Sequence, residues 1–179
     1  MSSEGLWVWR HARPDGATGR CIGAGTDLPV HWRRSKRLAR RIQKLAQRER
    51  LPKIIYSSPL RRCAEVGAWL KAWGWRHQQD SALLELDFGA WDGRAWEQIA
   101  RAEVDAWVAD FVAYAPGDGE TLAELLVRAG NWQPQAGACL VISHGGWMLA
   151  RRWRAEQGQV LPTAAIWPKP PRYGDLWRL

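Results

Sequence analysis

The chain has little sulfur, few phenylalanines and tyrosines, and none of the short signatures that assign an enzyme at sight. Its three cysteines, Cys21, Cys63 and Cys139, are odd in number and far apart. None forms the C-x-x-C spacing of a zinc or redox pair, so they read as reduced thiols and no metal site is expected. No apolar stretch approaches the ~20 residues that a membrane helix needs. Met1 to Gly5 has neither a basic n-region nor an apolar h-region, which predicts a cytoplasmic protein with no membrane partner. There is no G-x-S-x-G elbow, no G-x-x-x-x-G-K-[ST] loop, no H-E-x-x-H and no G-x-G-x-x-G after the first strand. A serine hydrolase or a nucleotide-dependent transferase would need one of these.

What the chain does have is tryptophan and positive charge. The 14 tryptophans, among them Trp7, Trp9, Trp69, Trp73, Trp91, Trp107 and Trp153, are scattered singly. They read as core and rim packing, with one or two near a site able to receive an aromatic substrate. The net charge of +8 is concentrated between Arg33 and Lys44. There Leu38, Ile42 and Leu45 recur at helical spacing and basic residues fill the other positions. That pattern is a solvated amphipathic helix first and a polyanion-binding face second, so no nucleic-acid partner is expected.

Strand and helix alternate along the 179 residues, which read as one domain without linker or repeat. Strands are predicted at Leu6 to Trp9, Lys53 to Tyr56, Trp75 to His77, Cys139 to Ser143, Ala164 to Trp167 and Asp175 to Leu179, the last at an edge. Helices are predicted over the basic segment, after Ser57-Ser58-Pro59, over Ala95 to Ala113 and Thr121 to Ala129, and from about Gly146. The alternation implies an α/β fold, a mostly parallel sheet covered by helices on both faces.

Two of the four histidines follow predicted strands directly: His11 after Leu6-Trp7-Val8-Trp9-Arg10, and His144 after Cys139-Leu140-Val141-Ile142-Ser143. Carboxyl ends of strands are where open α/β sheets bind ligands, and imidazole suits nucleophilic or proton-transfer work near neutral pH. Arg62 leaves the first turn of the second helix off its apolar face and can reach the same point. Guanidinium forks match the geometry and charge of a phosphoryl group, and a neutral imidazole beside them can attack phosphorus. Glu85, in a loop rich in glycine and acids, can protonate a leaving oxygen. Asp87 and Asp92 lie in that loop as alternative acids. His31 and His77 have no partner motif and read as surface or structural.

In order, Arg10-His11, Ser58-Pro59-Leu60-Arg61-Arg62, Glu85 to Gly93, Gly117-Asp118-Gly119-Glu120-Thr121 and Ser143-His144-Gly145-Gly146 resemble the motifs of the histidine phosphatase superfamily, whose fold is phosphoglycerate mutase-like. The loop from Cys21 to Pro29 and Phe88-Gly89-Ala90-Trp91 are most similar to its α-ribazole phosphatase branch, which acts in cobalamin biosynthesis. The resemblance implies a three-layer α/β/α sandwich with an antiparallel edge strand and a phosphomonoesterase that needs no metal or other cofactor. It implies His11 as the phosphorylated nucleophile, Arg10, Arg62 and His144 as the phosphate pocket, and Glu85 as proton donor. Glu120 and Thr121 are implied to line the pocket, and a small phosphorylated metabolite is the implied partner. Ala12, Pro14 and Ala17 stand where relatives carry glycine and polar residues, which speaks against mutase-like retention of phosphate. Ala24-Gly25 replaces a single residue, often arginine, in the loop after Cys21. A broad-specificity phosphatase, a mutase, an idle phospho-ligand binder and a polyanion binder are the alternatives. Oligomeric state is not legible.

Overall fold

Short strands of β-branched and aromatic residues alternate with helices, and their side chains divide cleanly between two faces. The computed structural model describes residues 5–135, 137 and 139–179. The elements are β1 (Trp7–Arg10), α1 (Trp32–Arg48), β2 (Ile54–Ser57), α2 (Arg61–Ala72), β3 (Arg76–Gln79), α3 (Arg101–Ala109), α4 (Leu122–Asn131), β4 (Leu140–Ser143), α5 (Gly145–Gln157) and β5 (Leu176–Arg178). They form one five-stranded sheet in the order β3-β2-β4-β1-β5. All neighbours are parallel except β5, which pairs antiparallel with β1 at the edge.

Successive strand residues point to opposite faces. Val8, Tyr56 and Val141 face a layer that includes Leu125 and Leu126 of α4 and Met148 of α5. Trp9, Ile55, Leu140 and Ile142 face Leu38 and Ile42 of α1 and Val66 and Leu70 of α2. The result is the expected three-layer α/β/α sandwich. Burying one such aliphatic side chain contributes about 1.5–3 kcal/mol, so both layers are held chiefly by these stripes. Most of the basic residues of α1 lie on its solvent side, and the imidazole of His31 caps the helix by accepting from the Arg33 amide.

The chain leaves β1 toward β2 on one side and leaves β4 toward β5 on the other. This reversal opens a crevice at the carboxyl ends of the two adjacent central strands, the usual ligand position in such sheets. The register pairs Arg10 with Ser143. The residues that follow, His11 and His144, are therefore delivered side by side.

Two predicted elements differ. Ala164 to Trp167 is a turn, because the amides of Ile166 and Trp167 both donate back to the Thr163 carbonyl and prolines stand at 162 and 168. The helix predicted over Ala95 to Ala113 is a 3-10 turn at Trp96–Gln98 followed by the shorter α3. None of the α3 residues is buried, so no apolar stripe extends it across a core. Among the described residues, no helix is long and apolar enough to cross a membrane.

Candidate active site

His11 and His144 are both buried, with ring centroids 5.1 Å apart. His11 Nδ1 lies 2.8 Å from the Ala12 carbonyl oxygen. A carbonyl can only accept, so Nδ1 carries the proton and Nε2 keeps its lone pair. Burial first, and then the Arg62 charge, hold the His11 imidazole well below its ordinary pKa. It is a neutral, tautomer-defined imidazole, the form that a nucleophile requires.

His144 is fixed by the opposite arrangement. Arg62 Nε donates to its Nδ1 at 3.2 Å, which leaves the proton of the neutral ring on Nε2, facing the Cys63 sulfur at 3.6 Å. Burial, with Arg62 next, likewise depresses its pKa. The Cys63 thiol, pushed upward by burial, stays protonated and donates to the Ser143 carbonyl.

Arg62 is almost wholly buried, an uncommon place for a guanidinium unless it is paired. Its Nη1 donates to Thr26 O at 2.6 Å and its Nη2 to Gly23 O at 2.9 Å. With Nε on His144, three of five N–H donors are used by protein and two remain for an anion. The loop it holds is organised from the other side by Asp92, whose carboxylate accepts from the amides of Gly23 and Gly25 and from the Thr26 hydroxyl. Asp92 is thereby committed to the loop, and Asp87 accepts from the Gly89 amide in a tight turn. Of the three acids in this segment, Glu85 is the one that, with Arg10, lines the cavity described below.

Arg10 donates to the Pro171 carbonyl at 2.6 Å, and its guanidinium carbon lies 4.1 Å from the centre of the Tyr173 ring. Its Nε is buried and has no hydrogen-bond partner. Tyr173 also meets the His11 ring, with centroids 5.5 Å apart, so one side chain from the segment before β5 covers both residues of the Arg10-His11 pair. Tyr173 carries no motif of its own, and sequence reasoning misses it.

The Glu85 carboxylate sits against the amino terminus of α5. Oε2 accepts from the Gly146 amide at 3.0 Å, and Oε1 accepts from Trp147 and Leu86 at 3.2 and 3.1 Å. Oε2 carries one bond where Oε1 carries two, so Oε2 is the oxygen with room for a proton. A Cβ on Gly146 would overlap Oε1. Gly146→Ala is therefore expected to displace the carboxylate and to lower kcat/KM about tenfold or more, most for esters of poorly acidic alcohols. Steady-state kinetics on phenyl and p-nitrophenyl phosphate check this, and equal rates to the parent on both would contradict it.

Glu120 and Thr121 are engaged elsewhere. Glu120 pairs with Arg128, and the Thr121 hydroxyl caps α4 in a reciprocal box with Glu124. Of the expected site residues, Arg10 and Glu85 line the cavity described next, and His11, Arg62, Glu120, Thr121 and His144 do not. Of the unassigned histidines, His31 is the helix cap described above and His77 lies 2.7 Å from the Ser57 hydroxyl.

Beside Arg10 and Glu85 opens a cavity of about 500 Å³. Its walls are Phe88, Trp96, Trp107, Phe111, Trp167 and Tyr173, with Ile22, Leu86 and Leu149 between them and Arg20 also contributing. Trp107 is presented by α3, and Trp167 by the turn after Thr163. The aromatic rings brace one another edge to face, Phe88 against Trp96 and Trp107 and Phe111 against Trp167. No sequence signal joins these residues, because they come from four separate segments.

Residues 6–161 match the profile of the Histidine phosphatase superfamily (branch 1). The chain belongs to this family. Its fold agrees with solved structures of similar size. A mycobacterial glucosyl-3-phosphoglycerate phosphatase in complex with VO3 superposes with a TM-score of 0.72 at 22% identity, covering 97% of this chain and 90% of that one. Bacillus stearothermophilus YhfR gives 0.72 at 22% identity, with 94% and 86% covered. A phosphoglycerate mutase from Thermus thermophilus gives 0.64 at 27% identity, with 88% of each chain covered. No match was found among curated proteins. Family membership makes the chain an enzyme of the histidine phosphatase type.

The depressed pKa of His11 sets a pH dependence. In the free enzyme the His11 imidazole remains unprotonated below its ordinary value of about 6.5, so any acid limb of kcat/KM that belongs to His11 is expected below that value. Stability follows the same groups. Their contribution is fully present above about 6.5 and declines as pH falls, because the unfolded chain takes up protons that the buried rings refuse. A kcat/KM profile and denaturation at several pH values check both, and a His11 limb at or above 6.5 would contradict the first.

Proposed function

We propose that this enzyme hydrolyses a phosphomonoester through a phosphohistidine on His11, and that the alcohol it releases carries a flat aromatic group. His11 Nε2 attacks phosphorus while the bond to the leaving oxygen breaks, and Glu85 gives that oxygen its proton. Glu85 then takes a proton from water as the water attacks the phosphohistidine, the N–P bond breaks, and inorganic phosphate leaves. Arg10 and Arg62 hold the charge of the transferring group, and His144, which accepts from Arg62 Nε, helps to hold that guanidinium in place. Cationic side chains in a site closed from water supply the electrostatic stabilisation on which such transfers depend.

The observation that carries the substrate reading is the aromatic cavity that opens directly onto Arg10 and Glu85. An alcohol leaving from beside Glu85 enters a space walled by six aromatic rings, which stack on a planar heterocycle and offer a sugar acid little. Together with the motifs of the α-ribazole phosphatase branch, this favours α-ribazole 5′-phosphate, a benzimidazole riboside ester. The glucosyl-3-phosphoglycerate phosphatase and phosphoglycerate mutase neighbours are named for polar phosphoglycerates, which would leave these walls unused.

Phosphate release from α-ribazole 5′-phosphate, p-nitrophenyl phosphate, nucleoside monophosphates and 3-phosphoglycerate, with and without EDTA, tests the reading. The aromatic esters are expected to lead, with α-ribazole 5′-phosphate first and 3-phosphoglycerate last, unchanged by the chelator. A lead for 3-phosphoglycerate would overturn the substrate reading, and loss of all activity in EDTA would overturn the metal-independent mechanism.

A further inference from the structure

We propose that Arg128 and Glu120, far from the reacting atoms in sequence and lining no part of the cavity, form a clamp that sets the position of Glu85 for proton transfer to the leaving group. The inference rests on Glu85 being the proton donor.

Arg128, near the end of α4, spends three of its five guanidinium donors on the segment that ends at Glu85. Nη1 donates to the carbonyls of Ala82 and Leu84 at 3.0 and 2.8 Å, and Nη2 donates to the Glu85 carbonyl at 3.3 Å. The two remaining N–H groups form a fork on Glu120, Nε to Oε1 at 3.0 Å and Nη2 to Oε2 at 2.8 Å. The pair is largely shielded, with side-chain exposures of 23% and 16%. It is therefore stronger than a surface ion pair.

Glu120 completes the bracket on the far side. Its carboxylate also accepts from the Asp87 amide at 3.4 Å, and its own amide donates to the Asp87 carbonyl at 2.7 Å. The backbone on both sides of Glu85 is thus tied to α4 and its leading turn, while the carboxylate tip is tied to α5 through the Gly146 and Trp147 amides. The turns behind it are interlocked: a Cβ on Gly89 would overlap the Gly117 carbonyl oxygen, so the segment has no slack there. A carboxyl group that must meet a leaving oxygen within hydrogen-bond reach gains from being held at both ends, since displacement of about 1 Å can cost a hundredfold in rate. Lysine cannot replace this arginine, because an ammonium has three donors and no planar fork.

The test uses phenyl phosphate and p-nitrophenyl phosphate, which place the same ring in the cavity but differ in how much the leaving oxygen needs a proton. For Arg128→Lys, kcat/KM on phenyl phosphate is expected to fall about tenfold or more, and on p-nitrophenyl phosphate by less than about threefold. Glu120→Gln, a milder change that keeps the shape of the clamp, is expected to move both in the same sense by less. Arg128→Lys combined with Glu85→Gln is expected to lose no more on phenyl phosphate than Glu85→Gln alone, since both act through one proton. Equal losses on the two esters, or additive losses in the double variant, would overturn the clamp. Failure of the underlying assignment is distinct: Glu85→Gln by itself would then fail to discriminate between the two esters.

Discussion

His11→Ala is expected to lower kcat/KM by about 10⁴-fold or more on every phosphomonoester, good leaving group or poor. Loss of the attacking nitrogen removes the covalent route itself, so a better leaving group cannot compensate. The fold is expected to survive, because the ring makes one hydrogen bond, to the adjacent Ala12 carbonyl, and the substitution removes a buried polar group together with its desolvation cost. Thermal denaturation separates the two effects. A melting temperature near that of the parent with no turnover is the expected pair of results, and a near-normal rate in a folded His11→Ala would remove the phosphohistidine mechanism.

Arg62 is expected to behave differently, because it has two roles. Its guanidinium holds the Gly23 and Thr26 carbonyls and the Nδ1 of His144, and two of its five donors are left for an anion. Arg62→Met would leave two buried acceptors and one half-buried acceptor without donors, at a cost of about 1–3 kcal/mol for each buried one before relaxation. A loss of about 3 kcal/mol in stability is therefore expected, together with a fall in kcat/KM of about 10³-fold. Arg62→Lys is expected to rescue little of either, since one ammonium cannot span two loop carbonyls, an imidazole and a phosphoryl oxygen. Chemical denaturation and steady-state kinetics on both variants check this. Retention of stability and activity by the lysine variant would show that charge alone suffices.

The parts of this molecule that are legible in the sequence are those with local causes. His11 and His144 stand out because each ends a short apolar strand, and the parallel register of β1 and β4 then places them together. Arg62 is legible from a proline-started helix whose apolar face leaves it pointing away. Ala164 to Trp167 misleads, since its apolar residues look like a strand until the flanking prolines and the Thr163 turn are considered. The aromatic cavity is not legible: Phe88, Trp96, Phe111 and Trp167 lie as much as 79 positions apart in the numbering, and only the packing of α3 and the late turn brings them into one wall. Glu120 is likewise visible as a motif residue, but its pairing with Arg128 depends on how α4 meets the Glu85 loop. Local patterns state which residue types are available, whereas contacts between distant loops decide what each one touches.

The central claim is that phosphate passes through a covalent bond to His11. Rapid mixing with p-nitrophenyl phosphate, quenching in alkali and peptide mapping by mass spectrometry test it directly. The expected result is an acid-labile, alkali-stable phosphoryl group on His11, formed as fast as nitrophenol is released and absent from His11→Ala. Nitrophenol release at full rate with no phosphoryl group on the protein, or with one on another residue, would contradict it.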